Sequence, residues 1–306
     1  MPADVARQTA GRAARRQRNR RLRLGLLFIS PWIVGFLVFT LYPFLATLYY
    51  SFTNYSIARS PTWVGLANYQ GLMNDHLFWV SVWNTAYYTV LEVPFSTVVA
   101  IAFAMLLNMK VRGMAFYRTA LYLPTVVPLV AGSVLWLWLF NPSFGIVNDA
   151  LGLLHIPGPG WMFSAVWAKP TFVFMGVWAV GAPMVIYLAA LQGVPQEMYE
   201  VADLEGAGPW QRTRHVTLPM ISPAILFNVV LALVAAAQYF TQAFVMTQGG
   251  PDDATMFYSL YLYEQAFSYL HLGYASAMAW ILFVIVVVIT LLLFRFSNRW
   301  VYYANE

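Results

Sequence analysis

The chain has 306 residues, 60% of them hydrophobic and 9% charged, with no cysteine, a net charge of +5 and a mean hydropathy of +0.62. A soluble domain carries roughly 25% charged residues, so the composition excludes an ordinary water-soluble enzyme and specifies a polytopic membrane protein. Without cysteine there is no disulfide, thiolate metal site or cysteine nucleophile, and the four histidines (His76, His155, His215, His271) never stand at metal-ligand spacing.

The first feature in chain order is a run of eight arginines between Arg7 and Arg23. An apolar stretch follows at once, so the run reads as a basic membrane flank and not as a nucleic-acid arm. Residues 1–23 are expected to be a disordered cytoplasmic N-terminus. The apolar stretch Leu24–Tyr50 is too long for a signal-peptide core of about 7–15 residues.

Crossing a bilayer takes about 20 apolar residues. Six such runs are read: roughly Leu24–Tyr50, Val80–Leu107, Thr119–Phe140, Thr171–Gln192, Ile221–Thr247 and Gly273–Phe294. The expected fold is therefore an all-α polytopic membrane protein with six transmembrane helices over 24–295 and a C-terminal tail over 296–306. Fifteen cations fall on one side: the N-terminal eight, Lys110, Arg112, Arg118, Arg212, Arg214, Arg295 and Arg299. Only Arg59 and Lys169 fall on the other. The positive-inside rule then puts both termini, and the polar segment between spans 4 and 5, in the cytoplasm.

That segment, 195–220, is the longest polar stretch after the N-terminus. Pro195 opens a helix, good helix formers follow, and Gly206 ends it by taking a left-handed conformation. Pro209 opens a second short helix that must stop before Pro219. Met198, Val201 and Ala202 share one face of the first helix, with Glu200 and Asp203 beside it. An elbow this short cannot bury that face alone, so it is shaped to sit in a groove of something else.

No G-x-x-x-x-G-K-[ST] phosphate loop occurs, so the chain is not expected to hydrolyse ATP, and no catalytic or metal-binding residue is assigned. Glu92 is the one charged residue within a span. A proton relay usually strings several ionisable groups together, and this one stands alone. The absence of Lys and Arg from the span interiors suits a neutral, hydroxyl-rich solute better than a phosphorylated one. In span 5, Gln238, Tyr239 and Gln242 carry suitable hydrogen-bonding chemistry, with Gln238 and Gln242 on one helical face. Span 4 adds Trp178, with Pro183 as a kink. Either these polar residues face a pathway or they bond across packed helices.

The elbow's Glu200, Val201 and Ala202, then Gly206, Val216, Leu218 and Pro219, stand at the spacing of the EAA loop of ABC-importer permease subunits. Val201 stands for Ala, Val216 for Ile and Glu205 for the frequent Asp. The loops resemble those of sugar-importer permeases of the maltose type: W-V-G-L-A-N-Y ending at Tyr69, N-P-S-F-G-I-V-N-D-A-L from Asn141, and T-Q-G-G-P followed by Y-L-Y-E-Q-A-F. The resemblance implies that the elbow is a coupling helix. Glu200, Val201, Ala202, Asp203, Glu205, Gly206, Ala207, Leu218 and Pro219 would dock on an ATPase subunit dimer that binds ATP and Mg. It also implies a second homologous permease subunit, an extracytoplasmic solute-binding protein and a bacterial plasma membrane. Gln238 and Tyr239 fall where the maltose-type subunit carries sugar-contacting amides. The rivals are a glycerol-3-phosphate importer of the same kind and an ion-coupled secondary transporter. The latter is opposed by the missing relay residues and repeats.

Overall fold

The fold is described from a computed structural model, which covers residues 23–57, 59–109 and 112–302 together with Asn19 and Arg21. Most of the basic N-terminus, Lys110 and residues 303–306 lie outside the described residues. Helices dominate because a backbone in hydrocarbon must satisfy its own N–H and C=O groups.

Helix α1 runs Arg23–Ser51, with a wider π turn over Leu37–Leu41. A two-stranded antiparallel hairpin follows, β1 (Thr53–Ser56) and β2 (Arg59–Trp63), then α2 (Ala67–Met73). This hairpin is an addition to the all-helical expectation. Helix α3 (His76–Leu107) is the longest at 32 residues. Next come α4 (Met114–Tyr122), which passes into a 3-10 turn over Leu123–Val126, then α5 (Leu129–Leu139) and the short α6 (Ile146–Leu153). Then come α7 (Ala168–Trp178), α8 (Gly181–Gln192), α9 (Gln196–Leu204) and α10 (Pro209–Arg212). The chain closes with α11 (Ser222–Ala237), α12 (Thr241–Met246), α13 (Tyr258–Tyr263) and α14 (Leu272–Ser297).

Four helical segments among the described residues are long and apolar enough to cross a membrane, or up to six if each of two bent pairs counts as one crossing. The third and fourth expected spans are those bent pairs. The pair formed by α4 with its 3-10 turn and α5 bends by 101°. Val127 precedes Pro128 and is held extended (ψ 126°), so the helix stops there. The pair α7–α8 bends by 47° at Ala179 and Val180. Pro183 lacks the N–H that would bond Ala179 O, so the break falls one turn before the proline and not at it. Span 5 is also interrupted, at Gln238–Phe240, with no glycine or proline present.

Two buried clusters stack along the bundle. One holds Phe78, Phe172, Phe257, Tyr258 and Met278. The other holds Ala100, Leu107, Met184, Tyr187, Leu191 and Ile221, with Leu218 packed against it. Helix α1 lies against α14 in the opposite direction. Phe44 meets Trp280 and Phe283, while Gly273 leaves no room for a Cβ beside the Thr53 carbonyl. The end of α14 returns to the start of α11, where Tyr302 N–H donates to Ser222 Oγ at 2.9 Å. The last crossing thus ends beside the elbow.

Candidate functional site

The first arm of the elbow forms as its prolines and glycine dictate, but the second does not stop before Pro219. Helix α10 continues through a π turn over Thr213–Thr217 into Leu218–Met220, the wider turn letting the helix carry a proline that lacks the N–H of a regular α-helical turn. Gly206 has φ +77° and closes α9 with two bonds, Ala207 N–H to Ala202 O at 2.9 Å and Gly206 N–H to Asp203 O at 3.0 Å. This 6→1 and 5→2 pair is the Schellman arrangement. Pro209 is the first residue of α10, and Gln211 Oε1 accepts from Gly208 N–H at 2.8 Å. Arg212 pairs with Asp203 at 2.7 Å and Tyr199 Oη shares a hydrogen bond with Thr217 Oγ1 at 3.1 Å, so the two arms are clamped together. Pro195 caps α9 without entering it.

Between the arms lies a cavity of about 490 Å³ reached by Val201, Ala202, Glu205, Gly206 and Ala207. Glu200 and Asp203 are exposed, and only Ala202 is buried on the face that the sequence marks as apolar. Leu218 turns inward to the second buried cluster and is the joint between elbow and bundle; Pro219 follows it in the short helical turn that leads into α11. Sequence reasoning passed over Leu204, 89% exposed, and Trp210, 72% exposed. Large apolar side chains inside a charged elbow were the signal for both.

A second site lies within the bundle. The break between α11 and α12, the break between α7 and α8 and the middle of α3 line one open cavity of about 400 Å³, which shares Tyr88, Tyr239 and Gln242 with another of about 180 Å³. Gln238, Tyr239 and Gln242 line the larger, while Trp178, Tyr239 and Gln242 line the smaller. The four pathway candidates are therefore brought together. Gln238 and Gln242 do not meet as helical i, i+4 neighbours, because the helix is broken between them; the break itself turns both toward the same space. Among the described residues neither glutamine side chain has a hydrogen-bond partner in the protein.

The wall is aromatic. Tyr239 packs against Tyr88 with ring centroids 4.3 Å apart and the planes tilted by 37°, and meets Phe257 and Phe172 edge-on at 5.2 and 5.5 Å. Trp178 meets Trp136 edge-on at 5.5 Å. Helix α3 contributes Tyr88, Glu92 and Ser96 to the larger cavity. Tyr88 and Ser96 were not singled out from sequence, although polar residues at i, i+4 and i+8 in an apolar span mark one helical face. No Lys, Arg, His or Asp lines either cavity. Such walls offer stacking faces, amides and hydroxyls, and nothing that would balance an anion.

Broken spans around a polar, aromatic cavity, joined through Leu218 to an exposed elbow, define a multi-pass membrane component of a transport system. Residues 92–302 match the family described as binding-protein-dependent transport system inner membrane component, and the chain belongs to that family. It is 39% identical over 290 residues to the probable ABC transporter permease protein YesP of Bacillus subtilis, which covers 92% of this chain and 93% of the relative. It is 34% identical to the lactose transport system permease protein LacF of Rhizobium radiobacter, over 88% of this chain and 92% of the relative. In fold it is similar to a chain of a bacterial ABC transporter involved in the import of the acidic polysaccharide alginate. The TM-score is 0.82 at 24% identity, over 92% of this chain and 98% of that one.

Proposed function

We propose that this permease forms half of the membrane pathway of an ATP-driven importer of neutral di- or oligosaccharides. The cavity supports this reading most directly: aromatic faces and unpartnered amides converge there at two helix breaks, with no basic group to hold a phosphate. Relatives bear names for lactose transport and for trehalose/maltose transport, the latter 30% identical. The glycerol-3-phosphate alternative lacks a cation here, and the ion-coupled alternative lacks a chain of ionisable groups.

The elbow is proposed to lie in the cytoplasm, together with both chain termini, on the strength of the cation distribution. There Glu200 and Val201 with Ala202, Asp203, Glu205, Gly206 and Ala207 dock on the ATPase subunits, and Leu218 and Pro219 pass the movement into α11. ATP and Mg belong to those partners, and this chain carries no catalytic group. A second homologous permease supplies the other half of the pathway, and an extracytoplasmic binding protein delivers the sugar. Coupling requires that the elbow make different contacts in the two states of the ATPase pair.

The test is uptake of a labelled disaccharide into liposomes that hold the full complex, with Glu200→Ala alongside. ATP-dependent uptake that the variant loses while the complex still assembles is the expected result. Uptake that ignores ATP and follows an imposed ion gradient would overturn the importer reading. ATP-driven uptake untouched by Glu200→Ala would remove that carboxylate from the coupling.

A further inference from the structure

A carboxyl group inside a membrane span is costly and persists where it is used. Glu92 lies midway along α3, half-buried, and lines the larger cavity between Tyr88 and Ser96. It forms no salt bridge among the described residues, and no basic residue lines the cavity. Room for it is made by Gly176 on α7. A Cβ there would stand 2.8 Å from Glu92 Oε1 and 2.9 Å from its Cγ, closer than unbonded carbon atoms approach. The carboxyl is thus held against the α7–α8 break, in the same space as Gln238, Tyr239 and Gln242.

We propose that Glu92 is a solute-contacting specificity residue, whose carboxyl oxygens accept hydrogen bonds from hydroxyls of an uncharged, polyhydroxylated solute stacked on the Tyr88–Tyr239 wall. The inference rests on the sugar-importer reading and extends it to a residue and a charge class. Two carboxyl oxygens offer about four acceptor positions, which suits adjacent hydroxyls on a sugar ring. The unpartnered amides of Gln238 and Gln242 supply donors on the facing wall. An anionic solute would meet this carboxyl with no cation to balance it. A proton relay is the weaker use, since the other ionisable groups in the lining are the two tyrosines.

The experiment uses the full complex with its binding protein in liposomes and compares Glu92→Ala and Glu92→Gln with the parent. The readout is labelled disaccharide carried per ATP hydrolysed. Loss of the hydrogen bonds to the carboxyl group predicts a fall of about tenfold for Glu92→Ala, with Glu92→Gln intermediate because an amide keeps one acceptor and the shape. Gly176→Ala, which pushes the glutamate from its place, should lower the same ratio. A second readout exploits the cysteine-free chain: Ala235→Cys puts a single thiol on the cavity wall. The disaccharide should slow its alkylation in the Glu92 background and fail to do so with Glu92→Ala. Unchanged sugar per ATP and unchanged protection in Glu92→Ala would overturn the inference and leave the importer reading standing. So would equal loss in both variants together with loss of assembly, which marks a structural role. Absence of ATP-dependent sugar uptake by the parent would overturn both.

Discussion

A single carboxylate, Asp75, ties three helices together at the end of the bundle remote from the elbow. It caps α3 by accepting from Leu77 N–H at 2.9 Å and Phe78 N–H at 3.3 Å. Its other oxygen accepts from Tyr261 Oη on α13 and, at 2.7 Å, from Tyr274 Oη on α14. Gln265 and His271 extend the chain of bonds through Tyr261. Burial pushes the Asp75 carboxyl up, but the two tyrosine hydroxyls and the two backbone N–H groups outweigh it and hold it below the ordinary carboxylate value. A carboxylate depressed in the folded state adds stability above its unfolded value, and that stability is lost as pH falls through the folded value. Asp75→Ala should therefore lower stability by about 2 kcal/mol near neutral pH, through the lost cap and tyrosine bonds. Thermal unfolding of the purified complex should show the gap between parent and variant narrowing below about pH 4. A gap that widens in acid would contradict this assignment. Nothing in the sequence near Asp75 announces the network, because its tyrosine partners lie 186 and 199 residues away.

Among elements, the elbow was legible and the hairpin was not, for the same physical reason. Pro195, Gly206 and Pro209 act on the chain locally, so their effect can be read without knowing what packs nearby. The β1–β2 hairpin has no turn glycine, and Pro61 inside β2 argues locally against a strand, so its place is set by contact with other parts of the chain. Asn68 donates to Ser51 O and Thr53 O at 2.8 and 3.0 Å, and Gly273 admits the Thr53 carbonyl. The elbow's dependence on Gly206 gives a prediction. No atom lies within 4 Å of a Cβ built there, so a substitution is opposed by backbone strain alone. Gly206→Ala should cost about 1 kcal/mol of elbow order, Gly206→Val more, and Gly206→Asn less, because asparagine tolerates the left-handed region. ATP-dependent uptake should fall in the order Asn, Ala, Val while complex assembly is kept. An alanine variant as active as the parent, with valine no worse, would mean that the elbow's angle does not matter.

For the whole molecule, three expected spans turned out to be interrupted, and the causes differ in how visible they are. The α7–α8 break belongs to Pro183 and the α4–α5 break to Pro128, and both are written in the sequence. The break at Gln238–Phe240 has neither proline nor glycine. It is held by Tyr239, whose ring is drawn among Tyr88, Phe172 and Phe257 on other elements, so tertiary packing overrides an alanine-rich stretch that would otherwise remain helical. The breaks matter jointly because they aim Trp178, Gln238 and Gln242 into one space. Pro183→Ala tests whether that geometry is required. Alanine restores the N–H that would bond Ala179 O and favours a straight α7–α8. Packing opposes this, since Gly181 sits hard against Thr125 and Leu121 O on the facing segment. The result should be a partial straightening that narrows the cavity wall at Ala179, Val180 and Pro183. Hydrogen exchange should show added protection of the amides at 179–182 and a protected new amide at 183, and ATP-dependent uptake should fall by about tenfold, the equivalent of about 1.4 kcal/mol in the barrier. Added protection with unchanged uptake would mean that solute passes without the break, and that the two broken crossings serve packing instead of passage.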